Sequence, residues 1–360
     1  MNILGYSRKQ QASFAEVPLN PIDVLIAACV SYFDFGKLRF KFPYKISALK
    51  HNKYFKTNEA YYDAYLFRTC KLLMYRLVRS ERFKDMEVLD YNEVNDEKKT
   101  ISFAAIALKL GDKIVIAFRG TDPSFVGWKE DFYLSYKKSI RSYSLAVSFV
   151  KNIIKKYDEQ IYICGHSKGG HIATYILKEI DDVERLDGVY DFDGPGFKES
   201  NIFKGKKRRL HIYHKIIPRS SLVGILFDKG SKIEIVRSTN VGGVFQHNPF
   251  TWLIFKNDFW YAKKRSLSSR YIDKGINDWI NSVSDEEKQR FTKILFDALD
   301  ENSAKDLTSL IKKTLMLQQI KPFIKAYHKL NKSDRELFNR VGKKLFLSFT
   351  KFRSLAEVAD

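Results

Sequence analysis

The chain is poor in several things, and each shortage excludes something. It has three cysteines in 360 residues, Cys29, Cys70 and Cys164. That is too few for a disulfide framework, and their spacing matches no zinc-binding pattern, so a reducing compartment is expected. Long hydrophobic runs are missing as well. The longest, Val24 to Val30, falls far short of the ~20 apolar residues a membrane span needs. Residues 1–20 mix polar with apolar side chains and contain no stretch like a signal peptide. The expectation is a cytoplasmic protein, soluble or peripherally held at a membrane. There is no internal repeat, low-complexity tract, Walker loop or aromatic RNA-binding signature. Acid is short too: 42 Asp and Glu stand against 63 Lys and Arg, a net charge of +21. Such a surface attracts polyanions, anionic lipid among them, although a general bias towards lysine explains it equally well. Charge alone supports only nonspecific, salt-sensitive phosphate binding, so no specific nucleic-acid partner is expected.

What is abundant is core material, 44% hydrophobic and 14% aromatic residues, enough for one large domain or two moderate ones. Asn20-Pro21 reads as an N-cap and first helical residue, opening a helix through Tyr32. Residues 58–83 repeat apolar and aromatic positions (Tyr62, Tyr65, Leu66, Leu73) at helical spacing. Thr100–Leu108 and Lys113–Phe118 have strand character, with the turn pair Gly111-Asp112 between them. Helix and strand then alternate: Tyr143–Tyr157 helical, Ile161–Cys164 a strand, Gly169–Ile180 helical, then strands at Val189–Phe192, Leu210–Ile217 and Lys232–Val236. That alternation predicts a largely parallel sheet with helices on both faces. Beyond Ser268 the pattern is helical, with capping-box signals at Ser284–Glu287 and Ser333–Glu336. The expected organisation is a domain over 1–265 and a basic helical extension over 266–360.

The chemistry concentrates in Gly165-His166-Ser167-Lys168-Gly169-Gly170. A buried strand, a Gly-x-Ser-x-Gly turn and a helix follow one another, the order a nucleophile elbow requires. The glycines let the chains pass closely, and the helix N-terminus faces developing negative charge. The bland reading is a glycine-rich connection with an incidental serine. Ser167 is the predicted nucleophile.

Phe118-Arg119-Gly120-Thr121-Asp122, Gly127-Trp128-Lys129-Glu130-Asp131 and Gly-His-Ser-Lys-Gly-Gly together resemble the lipase class 3 group of the α/β-hydrolase superfamily. They are more similar still to a bacterial lipase-like branch labelled a domain of unknown function. The resemblance runs from about Asn20 to Trp252, with Asp193-Gly194-Pro195-Gly196-Phe197 and Gln246-His247-Asn248-Pro249 as further landmarks. It implies an α/β-hydrolase fold and a serine hydrolase that cleaves carboxylic esters, of acyl or lipid type, through an acyl-enzyme without metal or cofactor. It also implies that the Thr121 amide, after the Arg-Gly pair, and the Lys168 amide, after the nucleophile, are the two oxyanion donors; the plainer role for Thr121 is a turn residue after a strand. Asp122, Trp128 and Asp131 would position that loop.

Of seven histidines, His166 and His171 flank the serine, where side chains point into the core or along the helix. His211 and His214 fall in a strand, and His51 and His328 lie outside the pattern. His247, in a loop after the last strand, fits the chain order Ser, acid, His; its alternative is a structural loop histidine. The acid departs from the family pattern. Related lipases carry an aspartate shortly before Val-Pro, whereas His214-Lys215-Ile216-Ile217-Pro218 has no carboxylate. Asp193, at the end of the preceding strand, is the predicted acid, unless it only holds the Gly-Pro-Gly loop. Asp191 would share its side but lie deeper. The missing carboxylate also supports another class of function, a catalytically weak binding or scaffold protein on a hydrolase fold. Its working part would then be the basic tail, where residues 311–360 carry twelve Lys or Arg against four Asp or Glu. The stripe Phe338, Val341, Leu345, Phe349 and Phe352, beside Arg340, Lys343, Lys344 and Lys351, suits either packing on the domain or peripheral contact with an anionic membrane. Lys204 to Arg209 forms a second basic run.

Overall fold

Local signals place the first elements. Asn2 caps α1 (Ile3–Lys9), and Asn20 caps α2 (Pro21–Val30) by accepting from the Ile22 and Asp23 amides while Asp23 bonds back to the Asn20 amide. This computed structural model describes residues 1–38, 41–52, 65–122, 124–197, 199, 202–228, 232–300 and 327–356. After α2 come β1 (Tyr44–Lys45), α3 (Tyr65–Leu77), β2 (Glu87–Asp96), β3 (Ile101–Leu110), β4 (Lys113–Phe118), α4 (Phe125–Tyr133) and α5 (Arg141–Lys156). Then β5 (Ile161–His166), α6 (Lys168–Glu179), β6 (Leu186–Phe192), α7 (Lys207–Ile212), β7 (Tyr213–Pro218), β8 (Ile233–Val236) and α8 (Gly243–Gln246) follow. A short hairpin, β9 (Ile254–Phe255) and β10 (Asp258–Phe259), precedes α9 (Leu267–Ser282), α10 (Asp285–Asp300) and α11 (Lys332–Ala356).

The described residues group into two compact units: Met1–Val94, Phe103–Gly120 and Ser142–Ser269 in the first, and Asn95–Ser102, Thr121–Arg141 and Arg270–Asp360 in the second. One sheet takes its eight strands in chain order from β1 to β8. β3 and β4 form the hairpin expected around Gly111, which sits at φ +63°, and β4 through β8 run parallel. Alternation along β5 places helices on both faces. Cys164 Sγ touches the Val24 carbonyl of α2, while the next residue, Gly165, meets Gly169 of α6. A parallel sheet wrapped in this way, with a serine between β5 and α6, is an α/β-hydrolase fold.

Three expectations need correction. The strand proposed at Leu210–Ile217 begins at Tyr213, because residues 207–212 coil into α7. There Arg208 donates to the Leu186 carbonyl, and Arg209 donates to those of Leu177 and Ile180 around the α6 C-terminus. Part of the basic run is therefore structural. β2 escaped the sequence pattern because most of its residues are half-buried and acidic residues interrupt it. The helix read over 58–83 is seen from Tyr65 to Leu77; Tyr62 lies outside the described residues.

In the second unit Ser284 and Glu287 form the expected reciprocal capping box. The second box is displaced: Asn331, not Ser333, accepts the Asp334 amide and donates to its carboxylate, so α11 starts at Lys332. Val283, Phe291, Ile294, Leu337 and Val341 make a core on which Phe338 packs. The side chains of Leu345, Phe349, Lys351 and Phe352 lie outside the described residues. No helix among the described residues is long and apolar enough to cross a membrane.

Candidate active site

Ser167 stands between β5 and α6 with φ +60° and ψ −130°, a strained conformation for a residue with a side chain. The packing around it imposes this turn. A Cβ on Gly165 would lie 2.1 Å from the backbone of Gly169, and one on Gly169 would lie 2.1 Å from the Phe118 carbonyl oxygen. Only glycines let α6 approach β4 and β5 so closely. The Ser167 amide donates to the Phe192 carbonyl at 2.9 Å, tying the elbow to the end of β6. Gly120, at the end of β4's continuation, completes the crowding: a Cβ there would sit 3.1 Å from Ser167 Cβ and 2.0 Å from Tyr32 Oη. Lys168 is the first residue of α6, so its amide is among those the helix leaves without an intrahelical acceptor.

Asp193 follows β6 and also takes a left-handed conformation, φ +54°. Its buried carboxylate accepts from His247 Nδ1 at 2.7 Å, from the Gly224 amide at 3.1 Å and from Ser221 Oγ. With Nδ1 donating to a carboxylate, the other ring nitrogen of His247 is left as the lone-pair atom. The structure thus brings together the histidine and aspartate expected of a triad, both at the carboxyl ends of the parallel strands. Among the described residues, no hydrogen bond reaches Ser167 Oγ.

Asp191 lies deeper, as expected, and does other work. Its carboxylate accepts from the Gly194 amide at 2.7 Å, Lys215 Nζ at 3.0 Å and Tyr213 Oη at 3.2 Å. Lys215 Nζ also donates to the Gly194 carbonyl at 2.8 Å. Burial pushes the Asp191 carboxyl up and Lys215 opposes it. Lys215, in the segment that lacks a carboxylate, thus braces the turn that presents Asp193.

The remaining histidines are placed as follows. His171 is buried, with Nδ1 2.9 Å from the Pro195 carbonyl and Nε2 against Tyr143 Oη; burial pushes its imidazole down to about 4. His214 pairs with Glu234 at 3.1 Å. His166 is buried, with Nδ1 2.9 Å from Tyr32 Oη and Nε2 2.7 Å from the His247 carbonyl. Sequence reasoning foresaw its burial but not this link, because Tyr32 and His247 are remote in the chain.

In the second unit the Thr121 hydroxyl donates to Asp131 Oδ2 at 2.5 Å. Asp122 accepts from Ser102 Oγ at 2.7 Å and the Ser124 amide at 3.0 Å. The loop-positioning roles expected of Asp122 and Asp131 have hydrogen bonds behind them; Trp128 is partly exposed, at 38%.

A family model described as Mbeg1-like matches residues 77–297. Among solved structures, the chain is similar to Lip2 lipase from Yarrowia lipolytica, at 13% identity and a TM-score of 0.36 over 67% of this chain and 91% of that one. It is similar to a lipase from Rhizopus microsporus var. chinensis at 16% identity and a TM-score of 0.38, covering 64% and 85% of the two chains. Lipase II from Rhizopus niveus aligns at 12% identity and a TM-score of 0.34 over 69% and 87%. No curated protein sequence matches.

Proposed function

The chain belongs to the Mbeg1-like family, and from that starting point we propose that it is a serine hydrolase of carboxylic esters working through an acyl-enzyme. The observation that carries the reading is the 2.7 Å bond from His247 Nδ1 to the buried Asp193 carboxylate, made next to a serine on a strained strand-to-helix turn. In this mechanism the unprotonated nitrogen of His247 takes the Ser167 hydroxyl proton as Oγ attacks the ester carbonyl. The amides of Lys168 and Thr121 hold the tetrahedral oxyanion. Thr121 enters on the family resemblance and because it follows Gly120 by one peptide bond. His247 then returns the proton to the leaving alcohol, and water repeats the sequence in reverse to free the acid. Asp193 keeps the imidazole oriented and stabilises it while it is protonated. Esters with hydrophobic acyl chains are the proposed substrates, and no metal or cofactor takes part. Peripheral contact with an anionic lipid surface belongs to the same reading and rests on the net charge of +21.

Labelling of the purified protein with a fluorophosphonate probe tests the proposal. Wild type labels covalently, Ser167→Ala does not, and His247→Ala is slower by at least about 10³-fold. The open Ser167 hydroxyl favours one competing reading, a binding protein that retains the fold without efficient catalysis. Folded wild type that resists the probe would establish that reading instead.

A further inference from the structure

His166 stands one residue before the nucleophile but points away from the solvent-facing side of the elbow. Its ring is 1% exposed and is held at both nitrogens. Nε2 lies 2.7 Å from the His247 carbonyl oxygen and Nδ1 lies 2.9 Å from Tyr32 Oη. A carbonyl oxygen only accepts, so Nε2 carries the hydrogen; Nδ1 is then the lone-pair atom and Tyr32 donates to it. Both contacts are satisfied by one neutral tautomer and by no other. A charged ring would give up the hydrogen bond that Tyr32 donates to Nδ1. The groups facing the ring are Tyr32, from the segment after α2, His247, with ring centroids 4.5 Å apart, and Trp252 at 6.4 Å. Burial, and next to it the neighbouring His247, hold the His166 imidazole well below its usual range. That direction agrees with the neutral tautomer the two hydrogen bonds require.

The chain at His247 is gripped at three points. Trp252 Nε1 donates to the Gln246 carbonyl at 2.8 Å, His166 Nε2 to the His247 carbonyl, and His247 Nδ1 to Asp193. The neighbours on either side are held in turn, Gln246 by Ser220 and Asn240 and Asn248 by the Phe250 and Thr251 amides. The bond from His166 is the one that reaches the carbonyl of residue 247 itself. It also links the base directly to the strand end that carries Ser167.

We propose that His166 is a positioning residue for the catalytic base: in the Nε2–H tautomer that the His247 carbonyl requires, and with Nδ1 held by Tyr32, it keeps the His247 backbone in register with the nucleophile elbow. The role rests on the hydrolase reading above. It assigns Tyr32 as the anchor of the Nδ1 side of the ring, and it gives Gly120 a reason to lack a side chain, since a Cβ there would sit 2.0 Å from the Tyr32 oxygen.

The test combines ring NMR with labelling rates on the full chain. In ¹⁵N-histidine spectra, His166 gives the Nε2–H pattern of a neutral imidazole. Replacing it with phenylalanine, which fills the space without hydrogen bonding, slows fluorophosphonate labelling about 10- to 100-fold. The same variant changes the shape of the pH profile of labelling, because the Asp193–His247 pair is no longer held in register with Ser167. His166→Gln, whose amide donates and accepts at similar spacing, restores most of the rate and the wild-type profile. Tyr32→Phe falls between the two. A His166 Nδ1–H pattern, or His166→Phe labelling at the wild-type rate and profile, overturns this role alone. A loss in both His166 variants that follows their thermal stability, with an unmoved pH profile, reduces His166 to a packing residue and also overturns it. Wild type that fails to label overturns the hydrolase reading and this role with it.

Discussion

At Asp193 one carboxylate serves two neighbourhoods. Oδ2 accepts from His247, while Oδ1 accepts from Ser221 and Gly224. An amide at this position can keep its oxygen towards the Ser221 loop, but it then presents N–H to His247 and forces the other imidazole tautomer. Asp193→Asn should therefore fold like wild type, with an unchanged far-UV spectrum, and label about 10³- to 10⁴-fold more slowly. Near-wild-type labelling would remove Asp193 from the triad. His171 makes a separate prediction at this scale. Its imidazole falls from an ordinary 6.5 to about 4 on burial, so the unfolded chain binds the proton first as pH drops. The neutral buried ring contributes stability that is complete above about pH 6.5 and is lost on the way down to about pH 4. Thermal unfolding of wild type should fall across that window, and His171→Gln should show a shallower fall. Parallel pH curves for the two would show that His171 is not the group responsible.

Between β6 and β7 the buried Lys215–Asp191 pair decides whether the turn bearing Asp193 holds its shape. Both side chains are almost inaccessible, at 0% and 1% exposed, so removing the cation leaves a buried carboxylate with hydrogen bonds but no counter-charge. Lys215→Met should cost about 3–5 kcal/mol in urea unfolding, and adding Asp191→Asn should recover a large part of it. A single variant within about 1 kcal/mol of wild type would mean that this pair does not brace the turn. The same elements show why the sequence was only partly legible here. The hydropathy of residues 210–217 suits a strand throughout. Its first three residues are helical only because Arg208 and Arg209 reach carbonyls of β6 and of the segment closing α6, and no periodicity encodes those partners. β2 was missed for the opposite reason: neighbouring chain half-covers most of its positions, and the strict apolar–polar alternation never appears.

For the whole molecule the dominant property is charge. A net +21 should draw the protein to vesicles containing anionic phospholipid, with binding falling steeply as the screening length shrinks from about 10 Å at 0.1 M salt to about 3 Å at 1 M. Sedimentation with anionic and with zwitterionic vesicles checks this; equal binding to both would rule out an electrostatic contact. Along α11 the apolar positions up to Val341 are used in the core of the second unit, so charge, more than an apolar stripe, is expected to drive such binding.

The sequence by itself determined the strand–turn–helix at Ser167, because close glycines and the hydrophobic periods on either side are local properties of a few residues. It also narrowed the candidates for a catalytic base to His247 through chain order. Only the tertiary structure decided which carboxylate meets that histidine and which group holds it. Asp193 and His247 are 54 residues apart, His166 and His247 are 81 apart, and Tyr32 and His166 are 134 apart. Contacts of that kind exist only once parallel strands bring their carboxyl ends together. Until then, the lysine that braces the Asp193 turn and the buried histidine beside Ser167 read as ordinary residues of a strand.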